Sequence, residues 1–130
     1  MPQPNLQLVK EAIAAFNATD VEGFVALATD DFEWSPSMVA IEGQVFRGSE
    51  GIRAYCASLD DAWSEFRILP DSFRERGQTV LMLGALRGRG KNSGVTVDES
   101  LGMVFDIGDG KIARIRGFLD HAEALRASQA

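Results

Sequence analysis

The chain is poor in cysteine and histidine and has no surplus of positive charge. A lone cysteine, Cys56, leaves no partner for an internal disulfide. Adding the only histidine, His121, still gives too few ligands for a structural zinc site. Basic residues number 13 against 19 acidic ones, for a formal charge of −6. Neutralising phosphates needs a net basic face, so nucleic acid is excluded as a partner. No apolar run approaches the roughly 20 residues that cross a bilayer. Residues 1–5 show neither a basic nor an apolar signal region, which makes a cytoplasmic location the expectation. The basic, Gly-rich stretch from Arg87 to Lys91 lacks the spacing of a phosphate loop and leads into a strand, not a helix. No dinucleotide fingerprint is present either, so no cofactor and no metal are expected.

What is present suits an ordinary globular domain. Of the 130 residues, 45% are hydrophobic and 25% charged, and the length fits one domain over 1–130. Leu6, Val9, Ile13 and Phe16 recur at helical spacing, predicting a helix over 5–18 with Asn5 as its cap. Asp20 is positioned to cap a second, short helix carrying Val21, Phe24, Leu27 and Ala28. A third helix opens at Ser49, with Glu50 in the first turn where the backbone dipole favours an anion. Its stripe is Ile52, Tyr55, Leu59 and Trp63. Between the second and third helices, Asp31 to Ser35 alternates as a short strand ended by Pro36.

The second half reads as four strands, 66–75, 78–89, 94–107 and 111–119, divided by Gly-rich turns too short for crossover helices. Antiparallel neighbours follow, and with them an α+β domain in which helices cover one face of a curved sheet. Residues 78–86 are apolar on both faces of their strand. A sheet with one wet face would alternate, so the second face should also be covered. The simplest cover is a second copy of the chain, hence the expectation of a homodimer. Asp120 and Glu123 have the spacing of a capping box for a last short helix.

This order of elements, with Phe46-Arg47-Gly48-Ser49-Glu50-Gly51-Ile52, Phe105-Asp106-Ile107-Gly108-Asp109-Gly110-Lys111-Ile112 and Leu119-Asp120-His121-Ala122-Glu123-Ala124-Leu125, resembles the SnoaL-like family of the nuclear transport factor 2-like fold. The resemblance spans nearly the whole chain. It implies a cystatin-like cone, N-terminal helices in the concave face of a curved antiparallel sheet, a small molecule admitted at the open end, and dimerisation. It also implies where chemistry would sit. The ketosteroid isomerase base before a Pro falls at Ser35, or at Pro36 itself if the gap is placed differently, their oxyanion Tyr at Phe16 and their protonated Asp at Leu101. The cyclase Asp falls at Gly117, and no strand carries the Arg-x-Asp of the limonene-type epoxide hydrolases. Each of those roles is vacant, which argues against these mechanisms.

The residues offer one other candidate acid or base. Val95, Val97, Glu99, Leu101, Met103, Phe105 and Ile107 form an alternating row in which Glu99 alone is polar. Inside an apolar cone its carboxyl would be desolvated and tuned for proton transfer; at a rim, or beside Arg87 or Arg89, it would be an ordinary surface group. Asp120 and His121 read as a helix cap and an exposed first-turn residue. Arg114 and Arg116 point away from the apolar row, toward solvent or a partner. Cys56 has no basic neighbour but Arg53 and reads as buried and inert. Trp34, Ser35, Met38, Tyr55, Trp63, Phe73, Leu101 and Met103 are the expected pocket lining. They suit a small apolar or aromatic molecule. Three functions stay open: isomerase, cyclase or hydrolase chemistry using Glu99 with Tyr55 or Ser35, a binding module without chemistry, and a scaffold that offers its apolar sheet face to another protein.

Overall fold

A computed structural model describes residues 4–36 and 45–129. Helices α1 (Asn5–Asn17) and α2 (Val21–Ala26) lead into β1 (Ala28–Ser35). The two-residue β2 (Phe46–Arg47) precedes α3 (Gly48–Ala62). The meander is β3 (Trp63–Arg76), β4 (Thr79–Gly90), β5 (Thr96–Gly108) and β6 (Lys111–Phe118), and α4 (His121–Gln129) follows. The strands form one curved, unclosed sheet in the order β2-β1-β6-β5-β4-β3. All neighbours are antiparallel except β1 and β6, which run parallel. The expected α+β architecture is therefore the observed one.

Local chemistry explains the boundaries. The β5–β6 turn places Asp109 and Gly110 at φ of 53° and 76°, the left-handed pair that a two-residue hairpin requires. Asp20 caps α2 by accepting from the Gly23 N–H at 3.0 Å. Asn5 is not the cap of α1: Pro4 holds that place, and the Asn5 amide instead donates to the Gly77 carbonyl at 3.3 Å. The far end of α1 is tied down by Asn17. Its side-chain amide donates to the Ile68 carbonyl and accepts from the Ile68 N–H, both at 2.8 Å. That side chain completes the free edge of β3 as a neighbouring strand would. Further along the same edge, Pro70 has no N–H to offer and a bulge interrupts the ladder between Pro70 and Ser72.

The two faces of β4 are buried against different things. Val80, Met82 and Leu86 face the concave side and join the main core with α1, α2 and α3. Leu81 and Leu83 face the convex side, where Val104, Phe118, Ala124 and Leu125 surround them. The cover on that side comes from within the chain, because α4 lies across β4 and β5. Gly102 makes this possible, since a Cβ there would collide with the Ala124 methyl. The burial that the apolar strand demands is thus met at the sheet's centre without a second copy.

Candidate ligand-binding site

Rings fill the interior of the curved sheet. Trp34 stands at the centre, stacked on Phe24 (ring centres 5.1 Å apart, planes at 10°) and edge-on to Tyr55 (4.7 Å) and Phe32 (6.0 Å). Phe16 tilts against it at 5.7 Å. The space left inside is about 20 Å³, walled by Phe16, Trp34, Tyr55 and Phe66 with Leu86, Leu101, Met103 and Gly117. That is room for about one water molecule. The expected hollow is therefore packed with side chains. Phe16, Leu101 and Gly117, three positions where relatives would hold a catalytic group, all border it and carry none. Tyr55 brings the one phenol of the lining, and burial pushes its hydroxyl well above the ordinary range, so it stays protonated.

A larger space opens beside the hollow. A cleft of about 570 Å³ runs between the α1–α2 turn, the outer face of α3 and the start of β3. Phe16, Phe24, Leu59, Trp63 and Phe66 supply its apolar surface. Phe16 and Phe66 border both spaces, with ring centres 6.1 Å apart, so these two phenyls are the partition between them. Trp63 is held against β4 by Gly88, where a Cβ would stand 2.9 Å from the indole ring. Arg53 projects from α3 and reaches α2. Its Nε and Nη2 donate to the two carboxylate oxygens of Glu22, each at 2.8 Å. The hydrogen bonds from Arg53 lower the Glu22 pKa, and the same contact raises that of Arg53. Cys56 lies half-buried on the cleft wall, and burial raises its thiol pKa, as expected of an unreactive cysteine.

The structure divides the residues expected to line one pocket. Trp34, Tyr55, Leu101 and Met103 meet at the inner hollow, whereas Trp63 lies in the cleft. Ser35 alternates out of phase with Trp34 and sits opposite Arg116 on the other face of the sheet. Phe73 is at the far end of β3, half-buried under the Lys10 ammonium at 5.5 Å. Met38 lies outside the described residues.

Glu99 is exposed, not desolvated. Its register opposite Leu86 does put it on the concave side. However, β6 pairs with β5 only from Gly102 onward, so at Glu99 the strand is flanked by β4 alone and the carboxylate reaches water. Asp98, not Glu99, takes Arg87, at 2.8 Å. The two arginines of β6 pair with Asp106 on the convex face, Arg114 at 2.9 Å and Arg116 at 3.6 Å. Asp120 accepts from the Ala122 N–H at 2.8 Å, as a helix-start residue should. His121 is half-buried, not exposed. Its Nε2 lies 2.8 Å from the Gly84 carbonyl, an acceptor only, so that nitrogen carries the proton and ties α4 to β4. Among the described residues no group of three or more acidic, His or Cys side chains could hold a metal ion, and no helix is long and apolar enough to cross a membrane.

An open sheet wrapped around helices, an aromatic interior and a cleft at its border define a nuclear transport factor 2-like α+β domain. The SnoaL-like domain model matches residues 9–115. The chain belongs to that family. Solved structures agree on the fold. A nuclear transport factor 2-like protein of unknown function from Burkholderia pseudomallei is 25% identical, covers 97% of this chain and 98% of its own, and superposes with a TM-score of 0.79. An uncharacterised cystatin-fold protein from Novosphingobium aromaticivorans is 26% identical over 89% of this chain and 98% of its own, with a TM-score of 0.77. A putative polyketide cyclase from Xanthomonas campestris shares the fold at 18% identity, with coverages of 97% and 96% and a TM-score of 0.78. A search of curated proteins gave no match.

Proposed function

We propose that this SnoaL-like chain binds a small, largely apolar molecule, and that the molecule sits in the cleft between α2, α3 and β3. The observation that carries the reading is the contrast in space. Small-molecule sites occupy roughly 300–1,000 Å³ and are mostly apolar with a few polar groups. The cleft fits that description at about 570 Å³, and the interior hollow, at about 20 Å³, does not. Binding without the acid–base chemistry of the isomerase and cyclase relatives is the favoured activity. The described lining of the hollow offers no carboxylate or imidazole, Glu99 stands in water, and the carboxylates that border the cleft, Asp20, Asp60 and Glu65, are all exposed.

Equilibrium dialysis against 2-(1-naphthyl)ethanol, a neutral bicyclic probe, tests this. Saturable binding is expected, weakened about tenfold by Trp63→Ala through lost ring contact. Phe73→Ala and Glu99→Gln, both away from the cleft, should leave it unchanged. Absence of saturable binding up to millimolar probe, or equal losses for Trp63→Ala and Phe73→Ala, would refute the cleft as the site. Homodimerisation is part of the same proposal, with its contact narrowed. A second copy on the convex face would seat beside α4, against the β3–β4 strip where the exposed Leu69 pairs with Ala85. Sedimentation of the full chain at micromolar concentration measures that association.

A further inference from the structure

Resting on the cleft as the binding site, we propose that its ligand is an organic cation, an ammonium group attached to an aromatic or alkyl body. The argument is an account of which charges are already matched. Five charged side chains border the cleft: Asp20, Asp60, Glu65, Arg53 and Arg67. Both cations are engaged. Arg67 Nε lies 3.5 Å from Glu65 on the same strand. Arg53 turns Nε and Nη2 to Glu22, a residue outside the cleft lining. Asp20 and Asp60 have no ion-pair partner among the described residues. Both are exposed, and Asp20 spends one oxygen on the Gly23 N–H at the start of α2.

Those two carboxylates sit on different walls, Asp20 in the turn between α1 and α2 and Asp60 on α3. The cleft surface they share is aromatic through the half-buried Trp63 and Phe66. An aromatic face attracts a cation through the negative charge above the ring, and a nearby carboxylate adds to it. The chain already makes one such contact, Lys10 over Phe73. A formal charge of −6 further concentrates cations at the surface. An anionic ligand would meet two unmatched carboxylates and would have to displace Glu22 to reach the bidentate edge of Arg53. A neutral ligand would gain the walls alone.

Three probes with the same ring system read the charge directly: 2-(1-naphthyl)ethylamine, 2-(1-naphthyl)ethanol and 1-naphthylacetate, by equilibrium dialysis against the full chain. The amine is expected to bind about five- to tenfold more tightly than the alcohol at low salt, and the acetate most weakly. About 0.5 M salt should narrow the gap between amine and alcohol. Asp60→Asn should narrow it further, and Asp20→Asn added to Asp60→Asn should close it, since Asn still caps α2. Equal affinity for amine and alcohol overturns the cationic ligand while leaving the cleft as a binding site. Tightest binding of the acetate overturns it in favour of Arg53 as the anchor. An amine preference untouched by either Asn substitution overturns the assignment of Asp20 and Asp60. If no probe binds, the cleft itself falls, and this inference with it.

Discussion

The inner hollow and the outer cleft share Phe16 and Phe66 yet serve opposite ends. On one side of these rings the aromatic side chains close on one another until about one water's worth of space remains. On the other side the same chemistry stays apart, and Arg53 and Glu22 bridge α3 and α2 over the exposed surface. The difference teaches that aromatic content does not mark a binding site. What matters is whether the elements carrying the rings converge or diverge. Around Trp34 they converge from α1, α2, β1 and α3. At Trp63 the helix has ended and the strand begins to lead away.

Trp34→Ala should break the contrast most severely. Trp34 touches four rings and is 2% exposed, so its removal leaves a cavity costing about 3–5 kcal/mol. A denaturant midpoint that barely moves would show that the hollow is not the stabilising core. Phe66→Ala should cost less, about 2 kcal/mol, because Phe66 is only half-buried. It removes half the partition and joins the two spaces, so affinity for a naphthyl probe lengthened by a further ring should rise. A fall in that affinity would mean that Phe66 is a contact surface and not a wall. The smallest effect belongs to the Glu22–Arg53 bridge. Glu22 titrates lower in the folded chain than its ordinary 4.5, so the bridge stabilises at neutral pH and is lost as pH falls below that value. Wild type and Glu22→Gln should differ in thermal midpoint at about pH 7 and converge in acid once Glu22 is protonated in the folded chain. A gap that persists in acid would place its origin outside this ion pair.

Much of the fold was legible because alternation and turn chemistry act locally. Gly108-Asp109-Gly110 specified a hairpin, and Asp20 a helix start, before any packing was known. Trp34, Tyr55, Leu101 and Met103 do meet at one place, the inner hollow, since periodicity reports the side of an element a residue faces. Glu99 shows the boundary of that rule. It shares a row with Leu101 and Met103, but the row runs past the end of β6, and alternation carries no information about which neighbour is missing at that height. The cleft was illegible for a related reason. Its surface comes from the end of α1, from α2, from α3 and from the start of β3, and each contribution read alone looks like core or solvated face. The α4 cover was missed because α4 is short, and its key contact is the absence of a side chain at Gly102.

The Asn17 side chain has a consequence beyond fastening α1. The last strand of an open sheet presents unpaired N–H and C=O groups that another molecule can extend, the first step of aggregation. At Ile68 both groups are already taken by Asn17, and two residues later Pro70 and its bulge spoil the spacing. An incoming strand therefore finds no uninterrupted run of partners along this rim. The β3 side of the unclosed sheet is thereby hindered from recruiting foreign chains.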